Sequence, residues 1–564
     1  MAVWPCEFES HPGHCSTRVA LQPGFVFLTE HPIMSLNTIF DSRNRIWWFC
    51  ALYLVALLPA MALRDFTPSN ELRYLSIADE ALRNGNFFAF TNQGLPYADK
   101  PPLYLWWVML CRVVAGQHCM LLLSLMTLIP ACVIFLVMDR WIRPYVSTAT
   151  RGVAIMMLAT CIMFIGAVMV LRMDMLMCMF IMLALRSFWL WHTDTVRNRR
   201  QRWLFPVWIF LGVFTKGPLA FLFPLLGSAV YLAVTGQLRR FFHYWTWSTW
   251  GILIALCAVW FGGVYTDGGT EYLDNLLFHQ TVGRAVDAFH HKRPFYYYAV
   301  SIWYCMAPWS LMLAVVLFKG LRKRMVKRDS LAAYMLVVAL AIFVLLSCIS
   351  SKVDVYVLPA IPLIVCGSAF LMDSYRHDTL ARWMVGIIAM IFILVLPGFI
   401  VAACINALPF QASPFFYAAA SAMTLGGIAA MTGMFAKRYG HDLFNGIHAI
   451  TYSLLLAVFV GAYGLPEVNP EIGYGAMCRR VAELEARYPD AEVVAWQIKR
   501  AENMDVYLGH DFTIVEKGDP FYPHPGRSYI IMTTPKAAQD LPTPSDICHV
   551  GSKVVVYINK QPCQ

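Results

Sequence analysis

Long apolar runs separated by short polar segments fill the chain from about residue 47 to residue 465. Because a helix needs about 20 predominantly apolar residues to cross a hydrocarbon layer, the pattern predicts about thirteen transmembrane helices. The polar segments between the runs place predicted spans at 47–63, 119–138, 152–171, 175–191, 203–214, 246–265 and 297–318.

The pattern changes at both ends of this membrane part. Residues 466–564 have ordinary polarity, with a helical period at 481–488 and strand-like segments at 492–496, 528–532 and 553–558. We therefore predict a transmembrane domain over 46–465 and a small soluble α/β domain over 466–564. Residues 1–45 form an N-terminal cytoplasmic segment, and residues 1–33 lack any periodicity, so a native start at Met34 is expected.

Loop charge gives the orientation. The chain carries a formal net charge of +10, but its basic residues cluster between apolar runs, at 197–202 (RNRRQR), 239–240 and 322–328 (RKRMVKR). Such clusters are typical of cytoplasmic loops rather than of a nucleic-acid surface. The resulting order puts 64–118 in a first outside loop and the C-terminus outside. The run 103–114 is too short to cross and is predicted to be an interfacial helix in that loop.

Composition limits the kind of function. The 564 residues are 59% hydrophobic and only 14% charged, with a mean hydropathy of +0.56, and the predicted spans contain almost no Asp, Glu, Lys or Arg. Ion-coupled transporters and proton pumps usually keep such groups near mid-membrane. A working site at the membrane surface is therefore expected.

The first outside loop begins with an amphipathic helix. Thr67 suits an N-cap, Pro68 the first helical position and Gly85 the C-terminal stop. The helix is expected to lie against the membrane with an apolar stripe made of Leu72, Leu75, Ala78, Ala81 and Leu82.

Candidate chemistry stands at the start of this helix. Asp65, Asn70 and Glu71 face the positive end of the helix dipole, which favours an ionised carboxylate. Such a carboxylate can accept a proton from an acceptor hydroxyl. Simple capping and solvation is the alternative for both acids.

Four motifs, taken in order, resemble the C-type-fold (GT-C) glycosyltransferases of the protein mannosyltransferase and lipid A aminoarabinose transferase family. The resemblance covers roughly residues 45–375. Its motifs are Ser69-Asn70-Glu71-Leu72-Arg73-Tyr74, Asp99-Lys100-Pro101-Pro102-Leu103-Tyr104, Arg172-Met173-Asp174-Met175 and Lys216-Gly217-Pro218.

The resemblance implies an inverting transfer of a sugar from a polyprenyl-phosphate carrier, helped by acidic residues of the first two outside loops. It places the family's Asp-Glu pair on Asn70 and Glu71, and its second-loop acid on Asp174. An amide cannot be a base, so Glu71 or Asp65 has that role, or the acceptor is already an anion. Boundary anchoring is the alternative for Asp174.

The leaving group would be a lipid phosphate whose charge cations must stabilise. Donor-phosphate binding is expected from Lys100, Lys216, Arg284, Arg293 and Lys352, although an interfacial lysine such as Lys352 can simply extend to the headgroups. Expected substrate-binding residues are Arg73, Tyr74, Tyr104, Arg172, His290, His291 and Tyr356. No cofactor or metal is predicted; a divalent metal at His290 and His291 is the alternative.

Together with the resemblance, the sequence predicts a monomeric, multi-pass enzyme; by analogy with the family, we expect a bacterial inner membrane and a periplasmic active site. It would transfer a sugar from an undecaprenyl-phosphate donor to lipid A, another glycan or a protein, among membrane lipids and without nucleic acid. Two other classes stay open: a flippase for polyprenyl-linked lipids or sugars, and a non-catalytic subunit of an envelope assembly.

Overall fold

The computed structural model describes residues 44–277, 293–516, 518–524 and 526–559. The expectations for residues 1–43, including the start at Met34, and for the segment 278–292 lie outside the described residues.

Helices dominate the described chain. Those of eight or more residues are α1 (Arg45–Leu63), α2 (Glu71–Asn84), α3 (Pro102–Ala115), α4 (Met120–Ile142), α5 (Thr148–Thr160), α6 (Ile162–Met169), α7 (Asp174–Thr193), α8 (Gln201–Lys216), α9 (Leu219–Val234), α10 (Trp247–Asp274), α11 (Tyr297–Cys305), α12 (Ser310–Arg322), α13 (Leu331–Cys348), α14 (Ala360–Met372), α15 (Thr379–Cys404), α16 (Pro414–Phe435), α17 (Leu443–Gly461), α18 (Leu465–Ile472) and α19 (Gly475–Arg487).

The described helices include one helix or bent pair at each of the seven span ranges predicted above, and thirteen such units in all. Eight are long and apolar enough to cross a membrane, and the number rises to ten if the bent pairs α5–α6 and α11–α12 each count as one span. The other three positions hold shorter helices, α8, α9 and α14. The prediction of a polytopic helical membrane protein is confirmed.

Two spans are broken, which the apolar pattern alone did not show. Helices α5 and α6 meet at 59°, and α11 and α12 meet at 113°. Pro308 lies in the second break, where its missing N–H cannot continue the helical hydrogen bonds. The break leaves α11 beside the loop that follows α13.

The predicted start of α2 was wrong by one turn. The helix begins at Glu71 rather than at Pro68, and Asn70 holds the N-cap position. The Thr67 N–H and hydroxyl both donate to the Glu71 carboxylate, at 2.7 and 3.0 Å, so residues 67–70 form a turn closed by a side chain. Gly85 ends the helix at φ 73°, as predicted.

The apolar stripe of α2 packs against protein rather than lying bare on the membrane. Leu72, Leu75, Ala78 and Ala81 are buried in a core shared with α3 and with the soluble domain. Polar side chains of α2 are also buried: Ser76 donates to Asp505 of the soluble domain at 2.9 Å. The amphipathic pattern was correctly detected, but its partner is the chain itself.

The C-terminal region forms a five-stranded mixed sheet. Earlier in the chain, the first loop contains a small hairpin whose two strands have two residues each, β1 (Thr91–Asn92) and β2 (Leu95–Pro96). The sheet strands are β3 (Glu492–Trp496), β4 (Thr513–Val515), β5 (Tyr529–Thr533), β6 (Asp546–Val550) and β7 (Lys553–Ile558).

Strand β3 pairs in parallel with β4 and β5, whereas β7 pairs antiparallel with β5 and β6. The three predicted strands correspond to the buried β3, β5 and β7. The two missed strands, β4 and β6, form the sheet edges, and exposed edges carry little apolar pattern.

Candidate active site

Asp174 lies at the first position of α7, directly after the connection from α6, and it is only 1% exposed. The Lys216 ammonium contacts one carboxylate oxygen, and Arg172 Nε lies 3.0 Å from the other. A buried carboxylate is costly unless it is paired and hydrogen-bonded. These two cations meet that requirement.

The packing of α7 against α8 brings these groups together. The helices are neighbours in sequence and run in opposite directions, so the start of α7 and the end of α8 share one face of the bundle. Lys216 is the last residue of α8, and Gly217 ends that helix at φ 112°, a conformation favourable only to glycine. The Lys216-Gly217-Pro218 motif therefore delivers an ammonium group to a helix end.

A second loop reaches the same place from the far side of the chain. The ring of Tyr356, between α13 and α14, lies 4.7 Å from Lys216 Nζ, and its hydroxyl is within electrostatic range of Arg172. Lys352 on the same loop is buried, and its ammonium donates to the Ile349 carbonyl. Lys100 lies within electrostatic range of Asp174.

The electrostatics keep the arginine charged and the neighbouring phenol neutral. Burial lowers the pKa of Arg172, but the nearby acidic groups, Asp174 foremost and then Tyr74 and Tyr356, together outweigh this effect and raise the pKa above its ordinary value. Burial raises the pKa of Tyr74 to about 12. The Tyr74 ring packs edge-on against the buried Tyr104, with centroids 5.5 Å apart.

Glu71 is held by groups of the chain itself. Arg64 donates to both carboxylate oxygens, at 2.7 and 2.5 Å, and the Leu171 N–H donates to Oε1 at 2.6 Å. With the two bonds from Thr67, the described donors fill the roughly four lone-pair sites of a carboxylate. The bond to Leu171 also shows that Glu71 and Asp174 lie on the same side of the bundle.

Asp65 connects the first loop to the soluble domain. Its carboxylate accepts from the Tyr507 hydroxyl and, at 2.7 Å, from the Gly475 N–H. The approach is so close that a Cβ at Gly473 would stand 2.2 Å from the Asp65 carboxylate. The backbone of Asp65 and the end of α1 both bond to Asn469.

The remaining predicted residues spread around this centre. Asn70 accepts from Arg73 at 3.1 Å, and the Arg73 guanidinium stands 5.7 Å from the centre of the Tyr97 ring. Arg293 lies 6.0 Å from the Tyr297 ring centre, in the segment before α11. Arg284, His290 and His291 lie outside the described residues. Within the described part of the chain, no group of three or more metal-ligating side chains converges.

Sequence reasoning missed three residues around the site: Arg64, Asp99 and Asp354. Arg64 fixes Glu71, and its position in an Arg-Asp dipeptide at the end of the first span was the available signal. Asp99, inside the Asp99-Lys100 motif, is within electrostatic range of Tyr74. Asp354 accepts from two tyrosines beside Lys352, and no local signal in the sequence indicated that convergence.

The fold is that of a GT-C membrane protein with a small C-terminal sheet. The described chain superposes on the crystal structure of ArnT from Cupriavidus metallidurans bound to undecaprenyl phosphate with a TM-score of 0.71, covering 92% of this chain and 98% of that one at 18% identity. The apo structure of the same protein gives a TM-score of 0.68. These likenesses establish the fold, and they confirm the GT-C resemblance on that level.

Sequence comparison leads to the same group of proteins. An undecaprenyl phosphate-alpha-4-amino-4-deoxy-L-arabinose arabinosyl transferase of Pseudomonas fluorescens strain Pf0-1 is 24% identical over 327 residues, which are 55% of this chain and 54% of that protein. A second such transferase, from P. fluorescens strain ATCC BAA-477 / NRRL B-23932 / Pf-5, is 25% identical over 377 residues, with 62% and 61% covered. The chain thus matches just over half the length of these relatives. No family model matches it.

Proposed function

We propose that this chain is an inverting glycosyltransferase that moves a sugar from an undecaprenyl-phosphate donor to an acceptor at the membrane surface. The names of its relatives suggest 4-amino-4-deoxy-L-arabinose as the sugar. As the acceptor we propose lipid A, by analogy with the aminoarabinose transferases of the family that the motifs resemble; another glycan or a protein is the alternative.

The observation that carries the proposal is the buried cluster of Asp174, Lys216 and Arg172 beside the Tyr356 ring. Two cations share one carboxylate at the end of a membrane bundle. They retain N–H donors that can turn toward a phosphate, because an ammonium has three donors and a guanidinium five. Such a cluster suits a phosphate that gains charge as its sugar departs.

The proposed transfer is a single displacement at the anomeric carbon, without a sugar bound covalently to the protein. An acceptor oxygen attacks the anomeric carbon from the face opposite the phosphate, and the bond from that carbon to the phosphate oxygen breaks. The electron pair leaves with the phosphate, whose charge Lys216 and Arg172 stabilise. Asp174 holds these two cations in place.

The contacts of the first-loop acids favour an acceptor that is already an anion. The Glu71 carboxylate is filled by Arg64, Thr67 and Leu171, and Asp65 is engaged by the soluble domain. An anionic acceptor such as a lipid phosphate needs little deprotonation, so it requires neither acid as a base.

Lysine and arginine supply the positive charge in this scheme, so we also propose transfer without a divalent metal. The rate should persist in EDTA. A rate that collapses in EDTA and returns with one added cation would contradict this part of the proposal.

The proposed location is a bacterial inner membrane, with the cluster and the soluble domain on the periplasmic side. The support is the basic charge of the opposite loops. In a cysteine-depleted background, Glu467→Cys should react with a membrane-impermeant maleimide in intact spheroplasts and Arg199→Cys should not; both residues are exposed. The reverse pattern would invert the proposed orientation.

The function is tested by reconstituting the protein in liposomes with undecaprenyl phosphate carrying labelled aminoarabinose, together with lipid A. The enzyme should release free undecaprenyl phosphate and label the lipid A, and the matched variant Asp174→Asn should do neither. A flippase would expose the donor on the other leaflet without releasing the phosphate. A non-catalytic assembly subunit would neither release the phosphate nor move the donor between leaflets. Label on a different acceptor would support the proposed enzyme activity and contradict lipid A as the acceptor.

A further inference from the structure

The loop between α13 and α14 carries Lys352 and Tyr356. The Tyr356 ring lies beside the cluster of Asp174, Lys216 and Arg172. The loop has little regular structure of its own, apart from one short 3-10 turn at Asp354–Val357. Because a side chain held only by a loop loses much of its precision, a group outside the loop must fix these residues relative to Lys216.

Three tyrosine hydroxyls of α11 form hydrogen bonds to this loop. Tyr297 and Tyr304 each donate to Oδ1 of Asp354 at 2.6 Å. The fully buried Tyr298 donates to the Val353 carbonyl at 3.1 Å and accepts from the Val353 N–H at 3.2 Å. Residues 353 and 354 are therefore attached to α11 by side-chain and backbone bonds together.

The attachment point lies between the two residues it would position. Lys352 precedes it, and Tyr356 follows within the same 3-10 turn, with its ring 4.7 Å from Lys216 Nζ. A hydroxyl-to-carboxylate bond of this length belongs to the strong, charge-assisted class. Two such bonds on one oxygen oppose any rotation of the turn.

The simpler reading of Asp354 is a solvated carboxylate at the start of a short turn. That reading predicts water around the oxygen, whereas two phenol groups seven residues apart along the chain converge on it. Tyr304 is 46% exposed, and its hydroxyl bond to Asp354 attaches it to the loop.

We propose that Asp354 is a positioning residue for the donor phosphate: with Tyr297 and Tyr304 it clamps the loop that carries Lys352 and that places the Tyr356 ring beside Lys216. The proposal rests on the proposed function for the identity of the ligand. The clamp itself is a statement about loop order that does not depend on activity.

The test compares the double variant Tyr297→Phe/Tyr304→Phe, which removes both hydroxyls and keeps both rings, with Asp354→Ala and Asp354→Asn. Tyr463→Phe is the matched control, since Tyr463 is similarly exposed at 44% and its ring contacts Phe415 and Phe459. The first readout is amide hydrogen exchange of residues 350–357 in detergent. The second is KM and kcat for the undecaprenyl-phosphate donor.

Loss of charge-assisted bonds should speed exchange of residues 350–357 by about tenfold or more in the double variant and in Asp354→Ala. It should raise the donor KM by about tenfold with kcat changed less than about threefold. Asp354→Asn should fall between these variants and the wild type, because an amide oxygen still accepts. Tyr463→Phe should match the wild type in both readouts.

Unchanged exchange in the double variant would overturn the clamp, whatever the activity. Faster exchange with an unchanged donor KM would overturn the positioning role, because a merely structural bond has that signature. A wild-type protein that never releases undecaprenyl phosphate would defeat the proposed function instead, and the binding of undecaprenyl phosphate would then replace KM as the second readout.

Discussion

Two sets of carboxylates, Asp174 alone and Glu71 with Asp65, lie at the same end of the bundle and differ in what surrounds them. Asp174 is bound by two side-chain cations, Lys216 and Arg172. Glu71 and Asp65 are bound by backbone N–H groups, hydroxyls and, for Glu71, the Arg64 guanidinium. In the sequence both sets look alike, as acids at the ends of apolar runs.

The difference separates chemistry from architecture. The partners of Asp174 are charged side chains with N–H donors to spare, so a substrate phosphate can share them. The partners of Glu71 and Asp65 are fixed points of the fold: the start of α2, the segment before α7 and the soluble domain. A carboxylate used in this way holds other parts of the site in place and is not available to a substrate.

The largest effect should come from the first set. Asp174→Ala leaves the buried Lys216 and the partly exposed Arg172 without their common partner, and loss of one partner from a buried ion pair typically costs about 3–5 kcal/mol. We expect transfer to fall by at least about a hundredfold, measured as release of undecaprenyl phosphate from protein that still inserts in the membrane. Full activity in this variant would remove Asp174 from the mechanism.

Glu71→Gln tests the second set. Losing the charge leaves Arg64, whose side chain is 10% exposed, poorly paired, and we expect a loss of stability of about 3 kcal/mol in chemical unfolding. The rate per folded molecule should change little. A folded, stable Gln variant with no turnover would instead identify Glu71 as a base and erase the contrast with Asp174.

Gly475→Ala tests the connection to the soluble domain. An added Cβ would meet the Asp65 carboxylate at 2.8 Å, and relieving the contact should cost about 1–3 kcal/mol. Thermal unfolding measures the loss. Gly398→Ala is the control, because its added Cβ meets nothing within 4 Å, whereas Gly509 has a positive φ that would strain an alanine. Equal stability of the two variants would show that Asp65 does not secure the domain.

The smallest effect should come from Tyr74→Phe. The pKa of Tyr74 is raised to about 12 by burial, so its hydroxyl remains protonated throughout the physiological range and cannot serve as a base there. We expect kcat to change less than about threefold, with the same pH profile from pH 6 to pH 9. A profile that loses an alkaline limb in the variant would contradict this assignment.

Much of the fold follows from one physical constraint. Hydrocarbon demands long apolar helices, so run length and loop charge located the spans. The predicted start of α2 was wrong because the Thr67 N–H and hydroxyl bond to the Glu71 carboxylate. The predicted packing of the α2 apolar stripe was wrong because the soluble domain supplies a second apolar surface. Local propensity contains neither of these tertiary contacts.

The site was predictable to a similar depth. The ordered motifs named Asp174, Arg172 and Lys216, and Tyr356 was among the expected substrate-binding residues. The structure brings these four side chains together. The role of Asp65 could not be inferred, because its partner Tyr507 lies 442 residues away along the chain. Which acids a fold consumes internally depends on such distant contacts.

The most direct test of the contrast is the binding of undecaprenyl phosphate to Lys216→Met and to Glu71→Gln, each normalised to its folded fraction. Lys216→Met should weaken binding by at least about tenfold, since it removes a charge-assisted contact to the phosphate, whereas Glu71→Gln should bind as the wild type does. Unchanged binding in Lys216→Met, or loss of binding only in Glu71→Gln, would contradict the division between a substrate-facing cluster and a structural one.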